Sequence, residues 1–180
     1  MKINSPEIEE TQIKLVGTAE LTIVDSKTQK MPIRFKKGNP INVDSSSPTL
    51  IVALASFYGK EDKGLTKLVQ DKWSAVKKMR KRLISSIAKE FVMGMSQSIP
   101  VQANTQVSFL YCLDYSTKKD QMVIKPDLIH KSLKNLKHKA EKDGIETIVF
   151  PIEMKSEFLI EMINKVFRDF EGNMIIKTKK

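Results

Sequence analysis

The chain has 180 residues, 41% of them hydrophobic and 29% charged, enough for one domain with a substantial core and too few to require two. The 31 Lys and Arg against 21 Asp and Glu give a net charge of +10, which favours encounter with polyanions, whether nucleic acid or acidic protein surfaces. A lone cysteine excludes a disulfide framework and a cysteine zinc site, and no apolar run approaches the ~18 residues of a membrane helix; residues 1–7 hold no apolar signal-peptide core, so the cytoplasm is the expected compartment.

Residues 13–24 alternate loosely between apolar and polar, 25–29 interrupt, and 31–35 resume, which predicts two strands joined by a turn. Gly38-Asn39-Pro40 and residues 44–48 mark further loops. From Leu50 to Ala55 the chain is continuously apolar, as expected for a parallel central strand covered on both faces. From Gly64 onward Leu65, Leu68, Val69, Trp73, Val76, Leu83, Ile84 and Ile87 recur at spacings of three and four, predicting one long amphipathic helix or two consecutive ones. Lys77, Lys78, Arg80, Lys81 and Arg82 crowd its middle, either as a solvated helix face or as a contact for nucleic acid or an acidic protein surface. Residues 93–104 read as a polar, proline-containing connection.

Val107 to Leu113 is the next apolar strand, with Cys112 as a buried strand residue. A helix is expected from about Asp127 to Lys142, started by Pro126 and Asp127 and stopped by Gly144. Its buried stripe is Ile129, Leu133, Leu136 and Ala140, and Lys131, Lys134 and His138 face the other way. Thr147 to Phe150 is a short buried strand, and a last helix sets Phe158, Leu159, Met162, Ile163, Val166, Phe167 and Phe170 on one side. Residues 173–177 add a terminal strand. Helices alternating with buried strands imply an α/β protein, a three-layer α/β/α sandwich with a mixed, largely parallel central sheet, in a single domain over 1–180.

In open α/β sheets ligands bind beyond the carboxyl ends of the strands, here the loops after Ala55, Leu113 and Pro151. The loop from Ser56 to Gly64 leads from strand to helix, where backbone N–H groups hold anions, yet Glu61 and Asp62 at its mouth repel a phosphate. His130 and His138, eight apart on a helix beside lysines, make a poor metal pair, and no Walker loop, nucleophile elbow or paired-carboxylate spacing is present. No metal or cofactor is expected.

Leu50 to Ser56 with the turn and helix that follow, and Lys131-Ser132-Leu133-Lys134-Asn135-Leu136 running through Gly144 to Ile148-Val149-Phe150-Pro151, resemble the macro domain. That module binds ADP-ribose and related nucleotides, and some branches hydrolyse ADP-ribose linkages. The resemblance covers about 49–170 and is strongest in the second half, leaving 1–48 as divergent N-terminal strands and loops. It implies a candidate ligand cleft of Ser56, Tyr58, Gly59, Gly64 and Thr117.

Within the family, Tyr115-Ser116-Thr117-Lys118-Lys119 is similar to the Thr-Lys pair of the branch holding the terminal ADP-ribose glycohydrolase and the antitoxin that reverses DNA ADP-ribosylation. The similarity implies Lys118 as the nucleophile on the ribose carbon and Glu157 as the acid. A lysine amine attacks well only when desolvation or a neighbouring cation lowers its pKa, and Lys119 is compatible with that.

The departures run the other way. Residues 153–158 replace a glycine-rich turn, and side chains there obstruct the close backbone approach a diphosphate needs. Glu61-Asp62-Lys63-Gly64 replaces a second glycine cluster, and Ser56 stands where many members have asparagine. The expected function is therefore a non-catalytic, macro-domain-like binding module with a degenerate ADP-ribose site, recognising a protein or nucleic acid. The alternative is an ADP-ribose-binding protein or ADP-ribosyl hydrolase acting on modified protein or nucleic acid. The lysine-rich composition also suits a phage or viral accessory protein.

Overall fold

A computed structural model describes residues 33–44, 46–58, 64–116 and 121–178, together with the backbone of 14–16 and 19–22. The chain divides into two compact units, Met1–Pro32 and Ile33–Lys180. In the first, β1 (Lys14–Val16) and β2 (Ala19–Thr22) pair antiparallel, with the register slipping at Val16. The alternating run 13–24 is thus two short strands rather than one, and the turn expected at 25–29 lies outside the described residues.

The second unit is built on a seven-stranded sheet. Its strands are β3 (Arg34–Lys37), β4 (Thr49–Ser56), β5 (Ser96–Gln102), β6 (Thr105–Tyr115), β7 (Met122–Ile124), β8 (Thr147–Phe150) and β9 (Asn173–Thr178). The order is β3-β9-β8-β4-β6-β5, with β7 pairing with β6 beyond the edge of β4. All neighbours from β3 to β6 are parallel, and β5 and β7 join β6 antiparallel. The helices are α1 (Gly64–Lys72), α2 (Ser74–Ser86), α3 (Lys89–Val92), α4 (Pro126–Lys142) and α5 (Glu157–Val166). The mixed, mostly parallel sheet between helical layers is the three-layer sandwich expected from the sequence.

Strand β4 holds the centre, and every one of its residues is buried. Its alternation divides the core: Leu50, Val52 and Leu54 pack with Leu110, Leu133, Leu136, Phe150 and Phe167, while Ile51, Ala53 and Ala55 pack with Leu65, Val69, Val76, Val107 and Phe109. Strand side chains at successive positions face opposite layers, so one apolar run serves two cores. The helical run after Gly64 is two helices, broken at Trp73, whose extended backbone (φ −124°, ψ 91°) precedes α2. α4 ends where Gly144 adopts φ +66°, the left-handed conformation that favours glycine after a helix.

Four expectations need correction. Residues 96–102 form β5, not a connection; the strand is an edge, and Pro100 is tolerated there because an edge residue need not donate on its outer side. Phe158, expected on the buried side of the last helix, is 57% exposed, since it falls at the second position of α5 before the apolar face turns inward. Leu68 and Ile87 are likewise exposed. Arg80 is not on the solvated face with its basic neighbours; it is 2% exposed.

Candidate functional site

The parallel strands β4, β6 and β8 end at one edge of the sheet, and the segments after them meet there. After β4 the backbone turns at Phe57-Tyr58, with the buried Ser56 hydroxyl accepting the Tyr58 amide at 3.2 Å. Ser hydroxyls close such turns by substituting for a backbone acceptor. The Ser56 carbonyl accepts a hydrogen bond from Arg80 of α2 at 2.9 Å, and the same guanidinium donates to Gln70 Oε1 of α1 at 3.0 Å. It also lies over the rings of Phe109 and Tyr111, 5.3 and 5.8 Å from their centroids. A planar, weakly hydrated cation suits such a stacked, buried position, and lysine would not replace it. Arg80 thus fixes the end of the central strand instead of reaching for a polyanion. Lys77, Lys78, Lys81 and Arg82 are exposed around the rest of α2.

Tyr58 is 38% exposed and its ring packs against Phe57 edge-on, at 6.0 Å between centroids, and against Tyr115 from the end of β6 at 5.2 Å. Lys89 of α3 donates to the Tyr58 hydroxyl at 2.5 Å and lies 3.6 Å from Asp114. The hydrogen bond to Tyr58 and the charge of Asp114 raise the Lys89 pKa above the usual lysine value despite some desolvation. This lysine–tyrosine cluster escaped the sequence, because Tyr58, Lys89 and Asp114 share no periodicity.

Between α1, β6, β7 and the segment after β8 lies a pocket of about 220 Å³, lined by Leu54, Leu65, Thr66, Leu113, Met122, Val123, Ile124 and Glu153. Ligand pockets usually run to ~300–1,000 Å³. Glu153 is the one ionisable group among its described lining residues. The buried Thr66 hydroxyl donates to the Leu54 carbonyl near the exit of β4, so its proton is already committed.

After β8 the chain makes a single 3₁₀ turn, Ile152–Met154, where the sequence resemblance expects glycines. Met154 is fully buried in the core beneath α4 and α5. Glu153, next to it, projects its carboxylate onto the start of α1: a Cβ at Gly64 would lie 2.5 Å from Glu153 Oε2. Gly64 has φ +76°, so glycine is required twice over, by backbone and by space. A carboxylate beside a helix N-terminus is electrostatically favourable, so the contact is self-sustaining. Ser156 caps α5 by accepting the Leu159 amide at 3.2 Å, and Glu157 is exposed in the first helical turn.

The structure therefore brings Ser56, Tyr58 and Gly64 to one end of the sheet, with Ser56 buried and engaged. Gly59, Thr117, Lys118 and Lys119 lie outside the described residues, as do Glu61 and Asp62. On either side of residues 117–120, the Ser116 amide donates to the Gln121 carbonyl at 2.9 Å, closing the β6–β7 connection. His130 and His138 are exposed on α4, and no group of three or more metal-binding side chains exists among the described residues.

No family model matches the sequence, and no curated protein sequence matches it. Solved structures do match in three dimensions. A protein of unknown function from Bacteroides thetaiotaomicron is 18% identical, with a TM-score of 0.71 over 84% of this chain and 100% of that one. The macrodomain of Mycobacterium tuberculosis DarG is 11% identical, with a TM-score of 0.64 over 82% of this chain and 98% of that one. Thermosipho africanus DarTG in complex with ADP-ribose is 13% identical, with a TM-score of 0.56 over 74% of this chain and 38% of that one. Strand order, layering and these superpositions agree that the chain has a macrodomain fold.

Proposed function

We propose that the chain is a macrodomain-type binding module whose ADP-ribose cleft has lost its diphosphate seat, and that it works by recognising a partner rather than by hydrolysis. One observation supports this reading: Glu153 sets a carboxylate against Gly64 at the start of α1, and a helix N-terminus is the kind of place that otherwise holds an anion. Two unit charges 4 Å apart repel by about 4 kcal/mol at an effective dielectric of about 20 and by about 1 kcal/mol in bulk water, and solvent screening of the exposed Glu153 holds its effect toward the lower figure. A repulsion of about 1.4 kcal/mol is tenfold in affinity. The small, apolar pocket behind Glu153 agrees with this, since it offers no cation to a phosphate among its described lining residues.

Titration calorimetry with ADP-ribose tests the reading. The wild type is expected to show no saturable heat in the micromolar range, and Glu153→Gln to bind about tenfold more tightly than it. Clear micromolar binding by the wild type overturns it.

The alternative is an ADP-ribose-binding protein, which the ADP-ribose held by the Thermosipho africanus structure favours, or an ADP-ribosyl hydrolase using Lys118 as nucleophile and Glu157 as acid. Under the hydrolase reading the wild type releases ADP-ribose from a modified substrate and Lys118→Ala does not. Absence of release by the wild type ends it.

A further inference from the structure

A second concavity lies on the helical layer of α4 and α5. It is a groove of about 460 Å³ between α4 and α5, lined by His130, Lys134, Lys137, His138 and Glu141 of α4 and by Met162, Lys165 and Val166 of α5. From α4 it takes positions 130, 134, 137, 138 and 141, a single helical face. At 1.5 Å per residue that face is about 16 Å long. Met162 and Val166 form its floor and pack on the core beneath.

The charges are unevenly committed. Lys137 answers Glu141 at 3.6 Å and Asp169 at 3.9 Å, so the acids near the groove are already paired with it. Lys134 and Lys165 make no ion pair of 4 Å or less among the described residues, one on each wall. The groove is therefore cationic at its rims and apolar at its base.

We propose that this groove is a docking site for an acidic amphipathic helix of a partner protein. A helix laid along α4 presents side chains at i, i+4 and i+8 about 6 Å apart, the spacing at which His130, Lys134 and His138 repeat. Its apolar stripe covers Met162 and Val166, and its acidic flanks meet Lys134 and Lys165. The occupant follows from charge complementarity combined with the shape of the site. A single phosphate or nucleotide is held by donors converging on a point, often arginine forks or backbone N–H groups, and here, among the described residues, no arginine lines the groove and its two unpaired lysines stand on opposite walls. Single-stranded nucleic acid is held most often on Phe, Tyr or Trp platforms, and no such ring lines this groove among the described residues. Methionine at the base adapts to a helix's side chains. This docking site does not depend on the state of the cleft, so its failure and that of the binding-module reading are separately visible.

The test uses the full chain and a labelled synthetic peptide of about four turns, leucines at i, i+3, i+4 and i+7 and glutamates on both flanks. The comparison probes are a scrambled peptide of identical composition and an oligouridine. Fluorescence anisotropy should show the ordered peptide binding at least tenfold more tightly than the scrambled one. The double variant Lys134→Glu, Lys165→Glu should lose about tenfold in affinity, whereas a matched reversal on α2, Lys78→Glu with Arg82→Glu, should change it less than about threefold. All four residues are exposed, and circular dichroism verifies that both variants remain folded. Equal affinity for the two peptides, or equal loss from the two double variants, overturns the proposal. So does oligouridine that displaces the peptide and is itself lost on the Lys134, Lys165 variant.

Discussion

The two helical layers of the sandwich both carry dense basic sequence, and the sheet between them treats that sequence in opposite ways. On α2, five cations within six residues divide into one buried arginine and four exposed side chains on a convex helix. On α4, Lys134 and Lys137 are fully or partly exposed, and a second helix beside them makes the surface concave. The same residue types thus act as an internal clamp, as a solvated face and as the wall of a groove. Net charge states how many such residues exist; burial and curvature decide what each one does.

Arg80 gives the largest expected difference between the layers. Arg80→Ala removes hydrogen bonds to Ser56 and Gln70 and leaves a void beside Phe109 and Tyr111. Urea unfolding should show a loss of about 3 kcal/mol, against less than about 0.5 kcal/mol for Lys81→Ala next to it. Equal effects would place Arg80 back on the solvated face.

A middle-sized effect sharpens the contrast between the cleft and the rest of the sheet edge. Gly64→Ala forces a Cβ into a left-handed position and into the Glu153 carboxylate. It should cost about 2 kcal/mol in the wild type and about 1 kcal/mol in a Glu153→Ala background, where only the backbone strain survives. Additive costs would show that Glu153 does not rest on α1.

The smallest effect belongs to the end of α4. Asp143 is held below the usual carboxylate pKa by hydrogen bonds from Lys139 and Gln106, in that order, and then by the charges of Lys139 and Lys142. A depressed carboxylate stabilises the fold above its unfolded pKa, and that contribution disappears as pH falls through the folded value. Asp143→Asn should therefore cost up to about 1 kcal/mol at neutral pH. The gap between variant and wild type should close at pH values below the ordinary carboxylate value of 3.8. A gap that persists in strong acid would assign the effect to geometry instead of charge.

Most of the fold was legible. The unbroken apolar run of β4, the three-and-four spacing of α4 and its closing Gly144 each carry a local physical signal. Edge strand β5 was not legible, because Pro100 and four polar residues read as a loop until β6 supplies a partner. Of the site, the sequence indicated which loops would meet and that residues 153–158 hold no glycine. It carried no sign that Glu153 would lie on Gly64, 89 positions earlier, or that Lys89 would bridge Tyr58 and Asp114.

The division has a simple cause. Sequence by itself determined what depends on neighbours along the chain: the periods of strand and helix, the caps and stops, the net charge, and the order of parts that points to a macrodomain fold. Tertiary structure decided everything that depends on residues distant in sequence meeting at a few ångströms. Only it put Arg80 inside and Lys81 outside, laid the Glu153 carboxylate on the start of α1, and joined α4 to α5 so that scattered lysines became the rims of a groove.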